Sequence, residues 1–149
     1  VAYSKKVRSF FIDCGFNEGK KVCTVEVPKE ILNSKSLWPH FMRGIFDSDG
    51  SIYFEKNYAP GVIHGKRRRG RMDIVSVSKN LILGLLKMCN GLNYSPKLRV
   101  RKPGKKGKNI SYGLRFNKKG DIIRWMKEIS PKNNVHINRF KKWQKFGYY

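Results

Sequence analysis

The chain has 149 residues, 40% of them hydrophobic, which is enough to form one folded domain with a core of its own. It carries 33 lysines and arginines against ten aspartates and glutamates, a net charge of +23 at pH 7. Like charges in this excess repel one another in the folded state, which indicates a polyanionic partner such as nucleic acid. No apolar run approaches the roughly 18 residues of a membrane-spanning helix, so a membrane partner is not expected.

Apolar residues at helical spacing predict a first helix over residues 3–14, and a short extended segment follows over residues 22–27. Pro28 then opens a brief helix over residues 29–32, because proline is favoured at the first helical position. We expect residues 1–35 to form an N-terminal extension packed on the core. Residues 36–149 are expected to form the main domain.

A longer helix is predicted to run from residue 36 to about residue 46, with two neighbouring apolar stripes. The stripes are Leu37, Phe41 and Ile45, and Trp38, Met42 and Phe46. Together they cover more than half of the helix circumference. A helix of this kind must be buried on two sides.

After this helix the apolar period changes to two, which predicts strands. The expected elements are a strand from residue 51 to about 57, a strand over 72–78, a helix over 80–90, strands over 97–102 and 110–116, a helix over 119–129 and a last basic helix over 135–146. The order is helix, two strands, helix, two strands, helix. It predicts an α+β fold with the helices on one face of an antiparallel sheet.

The other face of the sheet is predicted to be polar and basic. Alternation along the strands assigns to it Tyr53, Glu55, Asn57, Ser76, Ser78, Lys97, Arg99, Arg101, Ser111 and Arg115, and the two hairpin loops add Arg67, Arg68, Arg69, Lys105 and Lys106. The solvent face of an ordinary half-exposed sheet mixes charges of both signs, whereas this set has Glu55 as its one acid. A twisted β-ribbon with such a surface suits the DNA major groove, so we expect these residues to bind double-stranded DNA.

The three cysteines, Cys14, Cys23 and Cys89, form no CxxC pair. That spacing disfavours a zinc site or a disulfide framework and is typical of proteins from a reducing compartment. We therefore expect an intracellular protein, from a prokaryotic cytoplasm or an organelle.

Residues 42–50, with the sequence MRGIFDSDG, end a buried helix with two acids and a glycine. Gly44 and Ser48 are small and lie one helical turn apart, a spacing that lets two helix backbones approach closely. If a second copy of the helix packs there, two copies of Asp49 meet near one axis. Carboxylates gathered in this way predict a hard cation such as Mg²⁺, which takes oxygen ligands and leaves room for phosphate oxygens.

The same residues 42–50 resemble the LAGLIDADG motif of homing endonucleases. The identical positions are Gly44, Asp47, Asp49 and Gly50. The order of predicted elements over residues 36–146 is similar to the α-β-β-α-β-β-α core of that family, and residues 3–32 look like the segment that precedes the motif in archaeal-type members. The resemblance implies a single-motif, intron-encoded enzyme that cuts duplex DNA as a homodimer and uses Mg²⁺, with Ca²⁺ or Mn²⁺ able to occupy the same site.

The resemblance also implies roles for individual residues. Asp49 matches the metal ligand of the family, and the backbone carbonyl of Ser48 completes the coordination. Lys132 matches a basic residue near the scissile phosphate. Lys79 or Asn80 matches a position that orders active-site water.

The helix contact between two copies is expected along the motif helix. Its predicted members are Phe41, Gly44, Ile45, Asp47 and Ser48. Asp47 is also expected to hold the end of the helix and its turn. Arg43, which replaces a small residue of the motif, argues against a symmetric contact, because a charge within a helix interface is costly unless it is paired.

Other interpretations stay open on the sequence alone. The chain can be one half of a two-motif enzyme, or a catalytically silent relative that binds DNA or RNA, such as an intron maturase or a transcription regulator. The retained Asp49 and Gly50 favour cleavage, since a silent relative has less reason to keep that acid. A basic ribosome-associated protein is a weaker alternative, because it leaves the acids at the end of a buried helix unexplained. An intein is disfavoured, since the chain neither starts with Cys or Ser nor ends with His-Asn.

Overall fold

The computed structural model describes residues 24–54, 70–103 and 109–146, together with Ser9 and Ile12. The helices and strands are α1 Lys29–Asn33, a single 3₁₀ turn Lys35–Leu37, α2 Trp38–Asp49, β1 Gly50–Phe54, β2 Gly70–Ser76, α3 Lys79–Gly91, β3 Lys97–Arg101, β4 Ser111–Phe116, α4 Lys119–Glu128 and α5 Asn134–Phe146. This order confirms the predicted α+β class. Apart from Ser9 and Ile12, the predicted helix over residues 3–14 lies outside the described residues. Within the described part of the chain, none of the helices combines the length and the apolar character needed to span a membrane.

The four strands form one antiparallel sheet in the order β1-β2-β4-β3. The two hairpins meet through β2 and β4, where Met72 lies opposite Phe116 and Ser76 lies opposite Tyr112. Residues directly opposite each other project from the same face of a sheet. The register therefore sorts the side chains of all four strands into two sets, one on each face.

One of these sets forms the core together with the helices. Its buried members are Ile52, Met72, Ile74, Leu114 and Phe116. Trp125 of α4 packs against them, and its ring meets those of Phe46, Tyr94 and Phe116 edge to face, with centroids 5.5, 5.5 and 5.0 Å away. Edge-to-face pairs add roughly 0.5–1.5 kcal/mol each beyond the area they bury. The helices thus cover this face of β1, β2 and β4, whereas Leu98 and Val100 of β3, on the same face, stay 44% and 61% exposed.

The predicted end of β2 is wrong, and two serines change position with it. Ser76 shares the face of the buried Met72 rather than the open face. Ser78 lies beyond the strand and is fully buried. Its hydroxyl accepts from the backbone N–H of Leu81 at 3.4 Å, capping α3, and donates to the carbonyl of Val25. A serine at an N-cap satisfies a helix N–H group that has no partner within the helix, which favours a helix start here over a longer strand.

Helix α2 continues to Asp49, about one turn beyond its predicted end. The backbone N–H of Gly50 bonds to the carbonyl of Phe46 and closes the last turn. A Cβ atom at Gly50 would collide with both the side chain and the carbonyl of Phe46. Glycine therefore lets the chain pass from α2 directly into β1, and both acids of the motif belong to the last helical turn.

Gly50→Ala is expected to destabilise the fold by about 1–3 kcal/mol, the usual cost of forcing extra atoms into a packed site. Gly120→Ala is the matched control, because no atom of the described residues lies within 4 Å of a Cβ added there. The control should be neutral or gain roughly 0.4–1 kcal/mol, since alanine restricts the unfolded chain. Urea unfolding measures both changes. Equal midpoints for the two variants would contradict the predicted collision.

Candidate metal centre and nucleic-acid interface

The two acids at the end of α2 have different surroundings. The Asp47 carboxylate is half-buried and accepts from the backbone N–H of Lys132 at 2.9 and 3.1 Å and from that of Asn133 at 3.0 Å. Asp49 is exposed, and the Ser48 hydroxyl lies 3.2 Å from its Oδ2. These contacts give Asp47 a holding role and leave the Asp49 carboxylate accessible to solvent.

Asn133 joins the last helix to α2, a role that the sequence did not predict. Its side-chain amide donates to the Asp47 carbonyl at 2.9 Å, and its Oδ1 accepts from the N–H of Val135 at 2.9 Å. An asparagine in front of a helix is a typical N-cap, and that signal was present in the sequence. The two contacts fasten the loop before α5 to the end of α2. The backbone of Lys132, whose side chain is exposed, lies beside Asp47, to which its N–H group donates.

Lys79 lies at the same end of the sheet as the acids of α2. It is exposed at the first position of α3, directly after the cap residue Ser78. Gly50 at the start of β1 pairs with Ile74 near the end of β2. The end of β2, and with it the start of α3, therefore lies at the same end of the sheet as Asp49.

Helix α2 is buried along one stripe within the chain. Trp38, Met42 and Phe46 are buried, whereas Leu37, just before the helix, is 40% exposed. Of the residues predicted at a helix contact, Gly44 and Ser48 are exposed and Phe41 and Ile45 are partly buried. No atom of the described residues lies within 4 Å of a Cβ added at Gly44. Asp47 differs from the other predicted contact residues, since its carboxylate binds the loop before α5.

The side chain of Arg43 binds to another part of its own chain. Its Nε donates to the carbonyl of Ile129 at 2.6 Å, just beyond the last residue of α4. A cation is stabilised at a helix C-terminus by the partial negative charge of the free carbonyl groups. The charge that argued against a symmetric helix contact therefore has a partner within the chain.

The face of the sheet away from the core carries the predicted cations. The register pairs Tyr53 with Arg71, Lys97 with Arg115 and Arg101 with Ser111, which gives these residues one common face. Arg99 belongs to the same set. Arg71 was missed because the predicted strand began at residue 72, whereas β2 begins at Gly70. The predicted residues Glu55, Asn57, Arg67, Arg68, Arg69, Lys105 and Lys106 lie outside the described residues.

The carboxylate of Asp73, a residue that the sequence did not single out, lies within this basic face. Asp73 is 5% exposed. Arg115 donates to its two carboxylate oxygens at 2.8 and 2.7 Å, Arg101 donates at 3.3 Å, and the Tyr53 hydroxyl donates at 3.1 Å. Burial raises the pKa of Tyr53, and the Asp73 carboxylate raises it further, so the phenol stays a proton donor.

A shallow depression opens beside this cluster, with Gly113 in its lining. Asp73, Arg99, Arg101 and Arg115 are among its other lining residues. A Cβ atom at Gly113 would crowd the carbonyl of Ile74 at 3.1 Å. The missing side chain thus lets β4 lie close to β2 in the middle of the exposed face.

His136 is buried behind the acids of α2. It is 5% exposed, and its ring centroid lies 4.7 Å from that of Phe46. Burial lowers the pKa of His136, and the Asp47 carboxylate, which raises it, offsets part of that effect. Histidine therefore stays neutral in the folded chain at a pH where the unfolded chain is already protonated.

The free energy of unfolding should fall as the pH drops below about 6.5, the ordinary histidine pKa. The unfolded chain binds the proton first, so stability is lost from there down to the lower folded-state pKa of His136 and then levels off for this group. His136→Leu should flatten this dependence between pH 7 and 5, and His40→Asn, a change at an exposed histidine, is the control. Thermal unfolding at a series of pH values measures the pH dependence of stability in each variant. The same slope in His136→Leu and in the unmodified protein would refute this assignment.

Neither a family model nor a curated protein matches the chain. A solved structure does match: the crystal structure of a homing endonuclease, I-TnaI, has a TM-score of 0.50 and 20% sequence identity, over 72% of this chain and 69% of that one. At this identity the likeness is one of fold. The chain therefore has the fold of a solved homing endonuclease.

Proposed function

We propose that the protein is a site-specific DNA endonuclease that cuts duplex DNA as a homodimer with a divalent metal at the paired ends of α2. The observation that carries the proposal is the exposed carboxylate of Asp49 at the end of a helix whose Gly44 and Ser48 are also exposed, with no described residue packed at Gly44. Two copies packed by a two-fold axis along the side that carries Gly44 and Ser48 would bring two such carboxylates together. The LAGLIDADG resemblance and the fold shared with I-TnaI support the same function.

The end of α2 has the donors that suit a hard cation. Asp49 offers carboxylate oxygens and Ser48 a backbone carbonyl, and Mg²⁺, Mn²⁺ and Ca²⁺ all accept oxygen ligands. Among the described residues of one chain, no group of three or more His, Cys, Asp or Glu side chains could hold a metal. The proposal therefore takes the remaining ligands from the partner subunit's Asp49 and from DNA phosphate. When bound, the metal stabilises charge at the phosphate and activates water.

The neighbouring residues are proposed to act on the scissile phosphate and the water. Asp47 and Asn133 hold the loop that carries Lys132. The backbone from which the Lys132 ammonium group would reach the phosphate is therefore fixed. A positive charge held where negative charge develops stabilises the transition state. Lys79, at the same end of the sheet, is proposed to order the attacking water.

The open face of the sheet is proposed to lie in the major groove. Arg99 and Arg101 project from a strand whose pairing with β4 fixes their direction, and a guanidinium can bind guanine O6 and N7 together. Lys97 and the loop residues Lys105 and Lys106 are proposed to hold phosphates, which position the protein and carry little sequence information.

Selection from a random duplex library should yield one preferred site, pseudo-palindromic because the dimer is two-fold symmetric. A supercoiled plasmid that carries this site should then be linearised in Mg²⁺ and left intact in EDTA. Tight binding without cutting in Mg²⁺ or Mn²⁺ would refute the nuclease and leave a silent DNA-binding relative. Preferred binding to RNA would identify a maturase-like protein instead.

A further inference from the structure

Asp73 is a negatively charged residue on the face of the sheet that is proposed to bind DNA. Asp73 lies between the strands of the open face, opposite Ser51 of β1 and Arg115 of β4. A carboxylate there repels the phosphates that the surrounding cations attract. A carboxylate that is 5% exposed there, with three side chains bound to it, calls for a specific role.

Asp73 holds its two arginines in different ways. Arg115 donates to the Asp73 carboxylate from both Nε and Nη2. The Arg115 side chain is 11% exposed, and its guanidinium lies 5.9 Å from the centre of the Tyr53 ring. Arg101 gives one nitrogen, Nη2, and its side chain is 50% exposed. Arg115 is therefore a nearly buried partner that holds the Asp73 carboxylate in place. Arg101 is bound to Asp73 through one nitrogen only, and much of its guanidinium stays accessible.

The hydrogen bond to Asp73 sets the direction of the Arg101 side chain. Asp73 and Arg101 both line the depression at Gly113, with Arg99 beside them. An unrestrained arginine must give up the freedom of a long side chain when it binds, and a restrained one gives up less. A guanidinium held in one orientation also discriminates better, because a wrong base leaves its donors unpaired.

We infer that Asp73 is a specificity-determining residue that positions Arg101 over the Gly113 depression for contact with one base edge. The inference rests on the proposed function, since it requires that the open face meets duplex DNA. A purely structural Asp73 would stabilise the sheet through Arg115 and leave base preference unchanged.

The test is binding-site selection with the full chain, followed by competition between the selected duplex and a scrambled one. Asp73→Asn should lower the specificity ratio roughly 5- to 150-fold, the discrimination that one bidentate arginine contact provides. Binding to the scrambled duplex should strengthen, because a negative charge is gone. The lost preference should fall at the base pairs that Arg101→Ala also loses. Glu30→Gln, the same charge change at an exposed acid on α1, is the control and should keep the wild-type preference.

A double variant separates positioning from stability. In the Arg101→Ala background, Asp73→Asn should produce no further loss of specificity, since its effect passes through the missing arginine. Tyr53→Phe removes one donor to Asp73 without stranding a charge, and it replaces Asp73→Asn if that variant does not fold. It should give a smaller loss at the same base pairs.

The outcomes distinguish the inference from the function beneath it. If the unmodified protein selects no sequence, the proposed function fails and the inference fails with it. If it selects a clear site and Asp73→Asn keeps that preference, the inference alone is overturned. A loss spread evenly over all base pairs, or one that persists in the Arg101→Ala background, overturns it as well.

Discussion

Asp49→Asn should abolish DNA cleavage and leave DNA binding nearly intact. The change removes one charged metal ligand at the end of α2 and alters nothing on the open face of the sheet. A metal at a phosphate contributes several kcal/mol to the transition state, so the loss should be on the order of 10³-fold or more. Plasmid cleavage in Mg²⁺ measures the rate. A gel shift over a range of salt measures binding, whose log–log slope of about −0.9 per phosphate contacted should not change.

Two further variants make the Asp49→Asn result specific. Glu30→Gln removes an equal charge from an exposed acid on α1, outside the motif, and should cleave normally. Asp47→Asn weakens the contacts to the backbone of Lys132 and Asn133, so it should reduce stability and slow cleavage without the full loss. Wild-type cleavage by Asp49→Asn would remove this residue from the catalytic centre. Cleavage lost equally in Glu30→Gln would point to a general effect of charge.

Gly44→Leu should break both the dimer and the cleavage activity while the single chain stays folded. In one chain, the described residues leave open space around a Cβ at Gly44, so a larger side chain meets nothing there. In a two-fold dimer the new side chain enters the contact twice, at about 1–3 kcal/mol for each. The dissociation constant should therefore rise roughly 30-fold or more. Sedimentation measures the assembly, and thermal unfolding at high dilution checks the fold.

Gly120→Leu is the matched control for the helix contact. Gly120 is also a helical glycine with open space among the described residues, but it lies on α4 rather than on α2. The control should leave dimer and activity unchanged. An active Gly44→Leu protein, or an active monomer on a site of single-domain length, would show that α2 does not form the proposed contact.

The strands and helices were largely predictable because their signals lie between near neighbours. The alternation around Ile52 and the glycine after α2 each involve residues a few positions apart. The placement of Asp49 at the end of a buried helix was predictable for the same reason. Its metal, its second copy and its DNA stay predictions, since they involve other molecules.

Residues close along the chain are not sufficient to predict which face of strand β2 is buried. Met72, Ile74 and Val75 are all apolar, so the local pattern does not say which parity faces the helices. The predicted alternation placed Ser76 on the open face, whereas the observed register turns Ser76 to the core side and Asp73 to the open face. The pairing of Met72 with Phe116, 44 positions along the chain, decides the question, because the buried face must match that of the neighbouring strand.

The amino-acid sequence by itself determined the charge of the protein, the order of its elements and the position of the acids at the end of α2, because these depend on composition and on residues close along the chain. The tertiary structure alone decided which side chains meet. Asp73 binds Arg101 and Arg115 across separations of 28 and 42 residues, and Asp47 binds Asn133 across 86. Such contacts follow from how the sheet and helices pack, and no local pattern encodes the distance between residues that far apart.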